Sequence, residues 1–254
     1  MSPPTVLVGP LMAAVGALLL AACGSSGTGK TTTRATVSKA AAAARSSRTT
    51  RTTATSAAAN ASATGPTCRR VPMPPTKSNE REPKPELKLD PARTYTVRLA
   101  TNCGTITIEL DVAHAPKTAA SFAWLVERGF YNNLTFHRVV PGFVIQGGDP
   151  NGNGTGGPGY QVVEAPPANV QYTEGVVAMA KTETEPSGAS GSQFFIVTAA
   201  NASLPPQYAL VGRVVSGEGS VDAISKVPTE AGQDGEHSTP NSPVVIEKAT
   251  LHES

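Results

Sequence analysis

Phe136-His-Arg-Val-Val-Pro-Gly-Phe-Val-Ile-Gln-Gly-Gly148 sets one permanent cation, Arg138, beside the ring of Phe143 and the amide of Gln146, with glycines around them. Its apolar runs and turn residues read as short strands near 134–140 and 143–147. A second polar-aromatic cluster, Ser192-Gln-Phe-Phe195, reads as part of a buried strand. None of these groups is a nucleophile, and His137 has no acidic neighbour in the sequence around it. A site made of an arginine, a glutamine and phenylalanines suits chemistry that makes and breaks no covalent bond. The pattern points to conformational catalysis or to peptide binding.

Outward from this stretch, Tyr95–Thr101 and Gly104–Leu110 alternate apolar with polar residues and are joined by Asn102-Cys103, which reads as a hairpin. Pro116 to Arg128 carries Phe122, Leu125 and Val126 at helical spacing, proline near its start and Gly129 after its end. Trp124 on that helix reads as core. Further short strands are expected near 161–164, 175–180, 193–198 and 209–215, a second helix over 219–226 and a closing strand from Val244 to Leu251. Many short strands with glycine turns and two isolated helices predict a mainly β fold, a closed antiparallel barrel with helical plugs.

Composition divides the chain. Residues 1–90 hold twelve Lys/Arg against four acids, a net of +8, whereas residues 91–254 hold nine against fifteen, a net of −6. All six Phe, all five Tyr and the one Trp lie beyond residue 90. A segment without aromatic residues buries too little apolar surface to offset the entropy of ordering it. One globular domain is therefore expected over residues 93–254, preceded by a disordered basic and proline-rich linker over 24–92. The domain's net negative charge argues against nucleic acid.

The first 23 residues read as a signal segment. An apolar run from Val6 to Ala22 ends in Leu20-Ala-Ala-Cys23, similar to a bacterial lipobox in which the cysteine is acylated, although no Lys or Arg precedes Lys30. This expects lipidation at Cys23 and a place on the extracytoplasmic face of the bacterial membrane; the alternative is an uncleaved N-terminal anchor. The following Gly24-Ser-Ser-Gly-Thr-Gly-Lys30-Thr31 fits a phosphate-binding loop at every position. That motif needs a sheet strand before it and a packed helix after it, and neither context is present, so no nucleotide is expected. Residues 24–79 carry nine Lys/Arg and no acid, which suits either adhesion to anionic headgroups or a solvated spacer. With Cys23 acylated, Cys68 and Cys103 remain as an even pair in an exported protein. A bridge between them is expected, worth roughly 3–5 kcal/mol, with two free thiols as the alternative.

Residues 136–148, Gly154-Thr-Gly-Gly-Pro-Gly-Tyr160, Val177-Ala-Met-Ala180 and Ser192-Gln-Phe-Phe-Ile196 resemble, in order and spacing, the signatures of the cyclophilin family of peptidyl-prolyl cis-trans isomerases. The resemblance spans roughly 94–252 and implies an eight-stranded closed barrel capped by two helices. It also implies rotation of X–Pro bonds in exported or unfolded polypeptides, without cofactor or metal, by a monomer. Arg138 would face the twisted amide, with Phe143 and Gln146 as the other catalytic residues. Phe143, Met179, Phe195 and Leu204 would line the proline slot, and His137 and Val144 would border it. Ala180 and Lys181 would pin the residue before proline, with Gln193 and Tyr208 along the same groove.

The chain departs from the family at the far rim. Ser203 stands where a tryptophan is common, Tyr208 where a histidine is, Val144 where a methionine is and Val211 where a phenylalanine is. A cyclosporin-type macrocycle leans on that tryptophan, so weak inhibition is expected. The loop Lys181–Ser192 is about three residues longer than usual and carries Glu183 and Glu185, which suggests a preference for basic residues before proline. The competing readings are a proline-peptide-binding chaperone module with little catalysis and a structural spacer of the cell envelope.

Overall fold

The computed structural model describes residues 67–77, 81–232 and 235–254. The signal segment, Cys23, the phosphate-loop match and the linker up to residue 66 lie outside the described residues. Among the described residues no helix is long and apolar enough to cross a membrane.

The hairpin forms from β1 (Tyr95–Thr101) and β2 (Gly104–Leu110), whose alternating Val97, Leu99, Ile106 and Ile108 are fully buried. Helix α1 (Pro116–Glu127) follows. Its N-cap residue, Ala115, offers no side-chain cap, and the Glu164 carboxylate accepts the Lys117 and Thr118 amides instead. Next come β3 (Leu134–Thr135), β4 (Arg138–Val140), β5 (Val144–Gly147), β6 (Val162–Val163), β7 (Val176–Met179), β8 (Ala189–Ser190), β9 (Phe194–Val197) and β10 (Leu210–Ser216). Helix α2 (Glu218–Ser225), β11 (Thr229–Ala231), β12 (His237–Pro240) and β13 (Val245–Glu253) complete the domain. The strands β8, β11 and β12 are too short and too polar to show a period in the sequence.

The closed eight-stranded barrel is corrected. The main sheet has nine strands in the order β3-β13-β1-β2-β10-β7-β9-β5-β4 and is open, curled strongly into a half-barrel, with β11–β12 and β6–β8 as separate pairs. Its two edge strands are consecutive in the chain. Only Phe136 and His137 separate β3 from β4, a step that three Cα–Cα virtual bonds limit to about 11 Å. The edges therefore approach one another, held by the Phe136 amide on the Val244 carbonyl and a bridge between Thr135 and Asp149. The chain itself crosses the gap, because a two-residue β3 is too short to carry the ladder across.

Burial separates two apolar clusters. The larger fills the curl, with Phe122, Phe130, Tyr131, Phe136 and Phe194 each at most 1 % exposed. The smaller lies on the opposite face of β5, β7 and β9 and includes Val144, Tyr172, Ala178 and Phe195.

The expected linker is also corrected in part. Residues 67–77 and 81–92 form no helix or strand but are held on the domain surface, with Cys68, Leu87 and Leu89 packed against the larger cluster. A disulfide joins Cys68 to Cys103 in the β1–β2 turn. Beside it the Arg69 amide donates to the Asn102 carbonyl at 2.8 Å, and the Asn102 side chain returns a bond to the Arg69 carbonyl at 2.6 Å. Backbone bonds from Lys77 to Pro150 and from Glu82 to Pro158 continue the attachment. Backbone hydrogen bonds carry no hydropathy signal, which is why composition reads this stretch as disordered.

Candidate active site

Register builds the site. Arg138 on β4 pairs with Gln146 on β5, Gln146 pairs with Phe195 on β9, and Phe195 pairs with Ala178 on β7. Residues paired across a sheet share a face and stand roughly 5 Å apart, so this one row sets a guanidinium, an amide and an aromatic ring side by side. The β4–β5 turn places Phe143 next to the row, and the Phe143 carbonyl accepts the Thr198 amide at 2.9 Å.

The glycines of the opening stretch are required here. Gly148 is left-handed, φ 82°, and a Cβ on it would stand 2.5 Å from the Ser192 carbonyl. The Ser192 hydroxyl donates back to the Gly148 carbonyl at 2.8 Å, and Tyr131 donates to Ser192 at 3.0 Å. These bonds lock the end of β5 to the start of β9. Asp149, 1 % exposed, accepts the amides of Asn151, Asn153 and Gly154 and so shapes the glycine-rich loop. That loop fixes Gln193, whose side-chain nitrogen donates to the Gly154 and Gly156 carbonyls at 2.9 Å each. Gln193 in turn accepts from the Gln146 amide at 3.1 Å. The orientation of Gln146 is thus set by a relay rather than by its own rotamer preference.

A cavity of about 130 Å³ opens on this face. It is lined by Phe143, Val144, Phe195, Leu204 and Tyr208 together with Arg138, Gln146, Ala180 and Lys181. Of the residues expected from the sequence, these nine meet in one place. Gln193 lies in an adjoining groove of about 830 Å³ that shares Gln146, Ala180 and Lys181 with the cavity. His137 faces a neighbouring cleft of about 290 Å³ beside Arg138 and Gln146.

Met179 is a correction. Strand alternation sends it to the opposite face from Ala178 and Ala180, where it is 1 % exposed inside the larger cluster. It supports the slot from behind and does not line it.

The electrostatics suit a neutral histidine and a fixed cation. Burial holds His137 below the usual imidazole range, aided by Arg138 and partly offset by Asp149. Neither ring nitrogen has a hydrogen-bond partner among the described residues. Arg138 donates to the Glu236 carboxylate at 3.1 Å, with side chains 25 % and 59 % exposed. An exposed pair of this kind is worth about 0–1 kcal/mol, so an arriving peptide displaces it at small cost.

Two contributors escaped the sequence reading. Glu236 lies ahead of β12, which packs on β4, a non-local contact with no motif. Tyr172 donates its hydroxyl to the Tyr208 carbonyl at 2.7 Å and accepts the Tyr208 amide at 3.0 Å. Burial pushes its phenol up to about 12, so it stays a donor. The rings of Tyr172, Phe195 and Tyr208 lie 5.5–6.3 Å apart and brace the cavity wall. The lone aromatic in an otherwise polar run, Tyr172, was the available signal.

The cavity joins an apolar slot to the side chains of Arg138, Gln146 and Lys181, an arrangement that suits an extended peptide. Comparison with known proteins identifies the class further. The family model "Cyclophilin type peptidyl-prolyl cis-trans isomerase/CLD" matches residues 96–251. Peptidyl-prolyl cis-trans isomerase A of Mycobacterium tuberculosis is 38 % identical over 179 residues, covering 63 % of this chain and 94 % of that protein. Peptidyl-prolyl cis-trans isomerase-like 1 of Mus musculus is 40 % identical over 139 residues, covering 53 % and 82 %. A crystal structure of a Cryptosporidium parvum cyclophilin in the presence of the dipeptide Ala-Pro superposes with a TM-score of 0.56 at 31 % identity, covering 62 % of this chain and 98 % of that one. The chain belongs to the cyclophilin-type peptidyl-prolyl cis-trans isomerases.

Proposed function

We propose that Arg138 catalyses X–Pro rotation by stabilising the twisted amide, and that the substrates are proline segments of exported or unfolded polypeptides. Rotation breaks amide resonance against a barrier of about 18–20 kcal/mol. In the twisted state the prolyl nitrogen becomes pyramidal and gains a lone pair. A donor fixed beside it binds that state better than either planar ground state. The proline ring sits in the slot of Phe143, Val144, Phe195, Leu204 and Tyr208, and Gln146 holds the adjoining backbone. Backbone groups at Ala180–Lys181 grip the residue before proline. No proton changes hands, which fits a neutral His137.

The observation that carries this reading is the single cavity uniting Arg138 and Gln146 with the apolar slot. The Ala-Pro dipeptide named with the Cryptosporidium cyclophilin supports the same ligand class. Acylation at Cys23 would tether the enzyme, as a monomer, to the outer face of the membrane, and the apolar run before that cysteine supports this placement. The mass of the N-terminal peptide from membrane-extracted protein tests the tether. Exchange measurements on a short X–Pro peptide test the chemistry: Arg138→Ala should slow isomerisation while leaving the fold intact. Equal rates in both proteins would sink the assignment of catalysis to Arg138 while leaving proline-peptide binding possible.

A further inference from the structure

The groove beside the proline slot is not built by the isomerase domain alone. Its lining includes Arg81, carried by the segment that runs ahead of the domain. The Glu82 amide bonds the Pro158 carbonyl at 2.8 Å, and the Glu82 carboxylate, in a side chain 8 % exposed, accepts from Arg128 at 2.9 Å. The first bond holds the backbone next to Arg81 to the glycine-rich loop, and the second ties it to the end of α1. The Arg81 side chain then lies across Gly159, where a Cβ would stand 2.7 Å from the arginine Cδ. Gly159 is left-handed at φ 89°, so its bare Cα face is what gives the arginine room.

The titratable groups facing the groove are Arg81, Tyr160, Lys181 and Glu185. Tyr160 is held neutral by burial and bonds Ser121. Glu185, which the sequence alone offers as an attractor of basic residues, is occupied by its own loop. Its carboxylate accepts from Gln161, from the Thr182 amide at 2.6 Å and from the Thr182 hydroxyl at 3.0 Å. Glu183 is exposed and is not part of the lining. No carboxylate among the described residues pairs with Arg81 or Lys181, and Lys181 donates to the Thr182 and Glu185 carbonyls. The groove therefore presents two cations and one satisfied anion, the reverse of the polarity that the loop acids suggested.

We propose that Arg81 is a specificity-determining residue which, with Lys181, selects polypeptides bearing a carboxylate side chain two residues before the proline. This rests on the isomerase reading above, in which Ala180–Lys181 hold the residue next to proline; the groove beyond them then receives the side chain one position further. Arg81 is exposed and Lys181 half-buried, so the preference is modest and screened by salt.

The experiment uses the full chain with three peptides identical except for Glu, Lys or Ala two residues before proline, read by exchange spectroscopy as kcat/KM. The wild type should prefer Glu over Lys by roughly fivefold, the ceiling for one exposed charge pair. Arg81→Glu should invert that ratio, Arg81→Ala should reduce it, and Arg81→Lys should retain most of it. High salt should flatten it. Wild-type rates independent of the varied residue, or a ratio unchanged in Arg81→Glu, would overturn the inference and leave the isomerase reading standing. Absence of turnover with every peptide would overturn both.

Discussion

The two faces of β5, β7 and β9 share one hydrogen-bond ladder and have opposite tasks. Inward, Ile145, Val177, Phe194 and Ile196 are fully buried in the larger cluster. Outward, Val144, Gln146 and Phe195 line an open cavity, with Ala178 packed behind them in the smaller cluster. The inner face is buried and close-packed. The outer face keeps a void and holds its polar groups by relays through Gln193 and Tyr172. One strand period thus assigns neighbouring residues to the packed core or to the cavity face, and the adjacent Phe194 and Phe195 make the sharpest case.

The largest expected effect is on the inner face. Phe194 meets Phe122, Tyr131 and Phe136 at centroid distances of 5.4–5.8 Å, so Phe194→Ala should lower the unfolding free energy by roughly 3–5 kcal/mol in urea titration. Phe195→Ala should cost less stability and more substrate affinity; equal stability losses would break the comparison. On the outer face, Arg138→Ala should reduce kcat/KM by about 10²–10³ and change stability by no more than about 1 kcal/mol. Tyr172→Phe removes the clasp on the Tyr208 backbone, with an expected loss of about 1–3 kcal/mol and a raised KM, since the wall of the slot loosens. A change in stability without one in KM would show that the clasp serves only the fold.

The smallest effect is a pH dependence. The folded His137 pKa lies below its unfolded value, so the unfolded chain binds more protons once pH falls under about 6.5. The contribution is complete above that value and declines as pH drops toward the folded pKa. His137→Gln should flatten this segment of the stability profile, while isomerisation stays insensitive to pH between about 6.5 and 8, because the proposed chemistry moves no proton. An unaltered profile in the variant would place the pH sensitivity elsewhere.

Much of this was legible in the sequence. The hairpin from Tyr95 to Leu110, both helices and most of the longer strands follow from apolar patterning, with ends shifted by only a residue or two, whereas β8, β11 and β12 were not foreseen. The row of Arg138, Gln146 and Phe195 was legible through its motifs, and strand register brings those motifs together. Met179 was misplaced because a motif was read without counting its face. The open sheet was missed because 134–140 reads as one strand, whereas Phe136 and His137 break it while crossing from one edge to the other. Arg81, Glu236 and Tyr172 reach the site through contacts distant in sequence, made by backbone amides, a hydroxyl and exposed charges. Such contacts leave no periodicity to detect.

The Cys68–Cys103 bond also decides how the molecule carries a mechanical load. A pull on the chain upstream of Cys68 passes through the bridge directly into the β1–β2 turn, at the heart of the main sheet. Residues 69–92 lie in the loop that the bridge closes, so they bear none of that tension. Drag on the enzyme would be taken up by the strands, and the segment presenting Arg81 would stay seated until a covalent bond was cut.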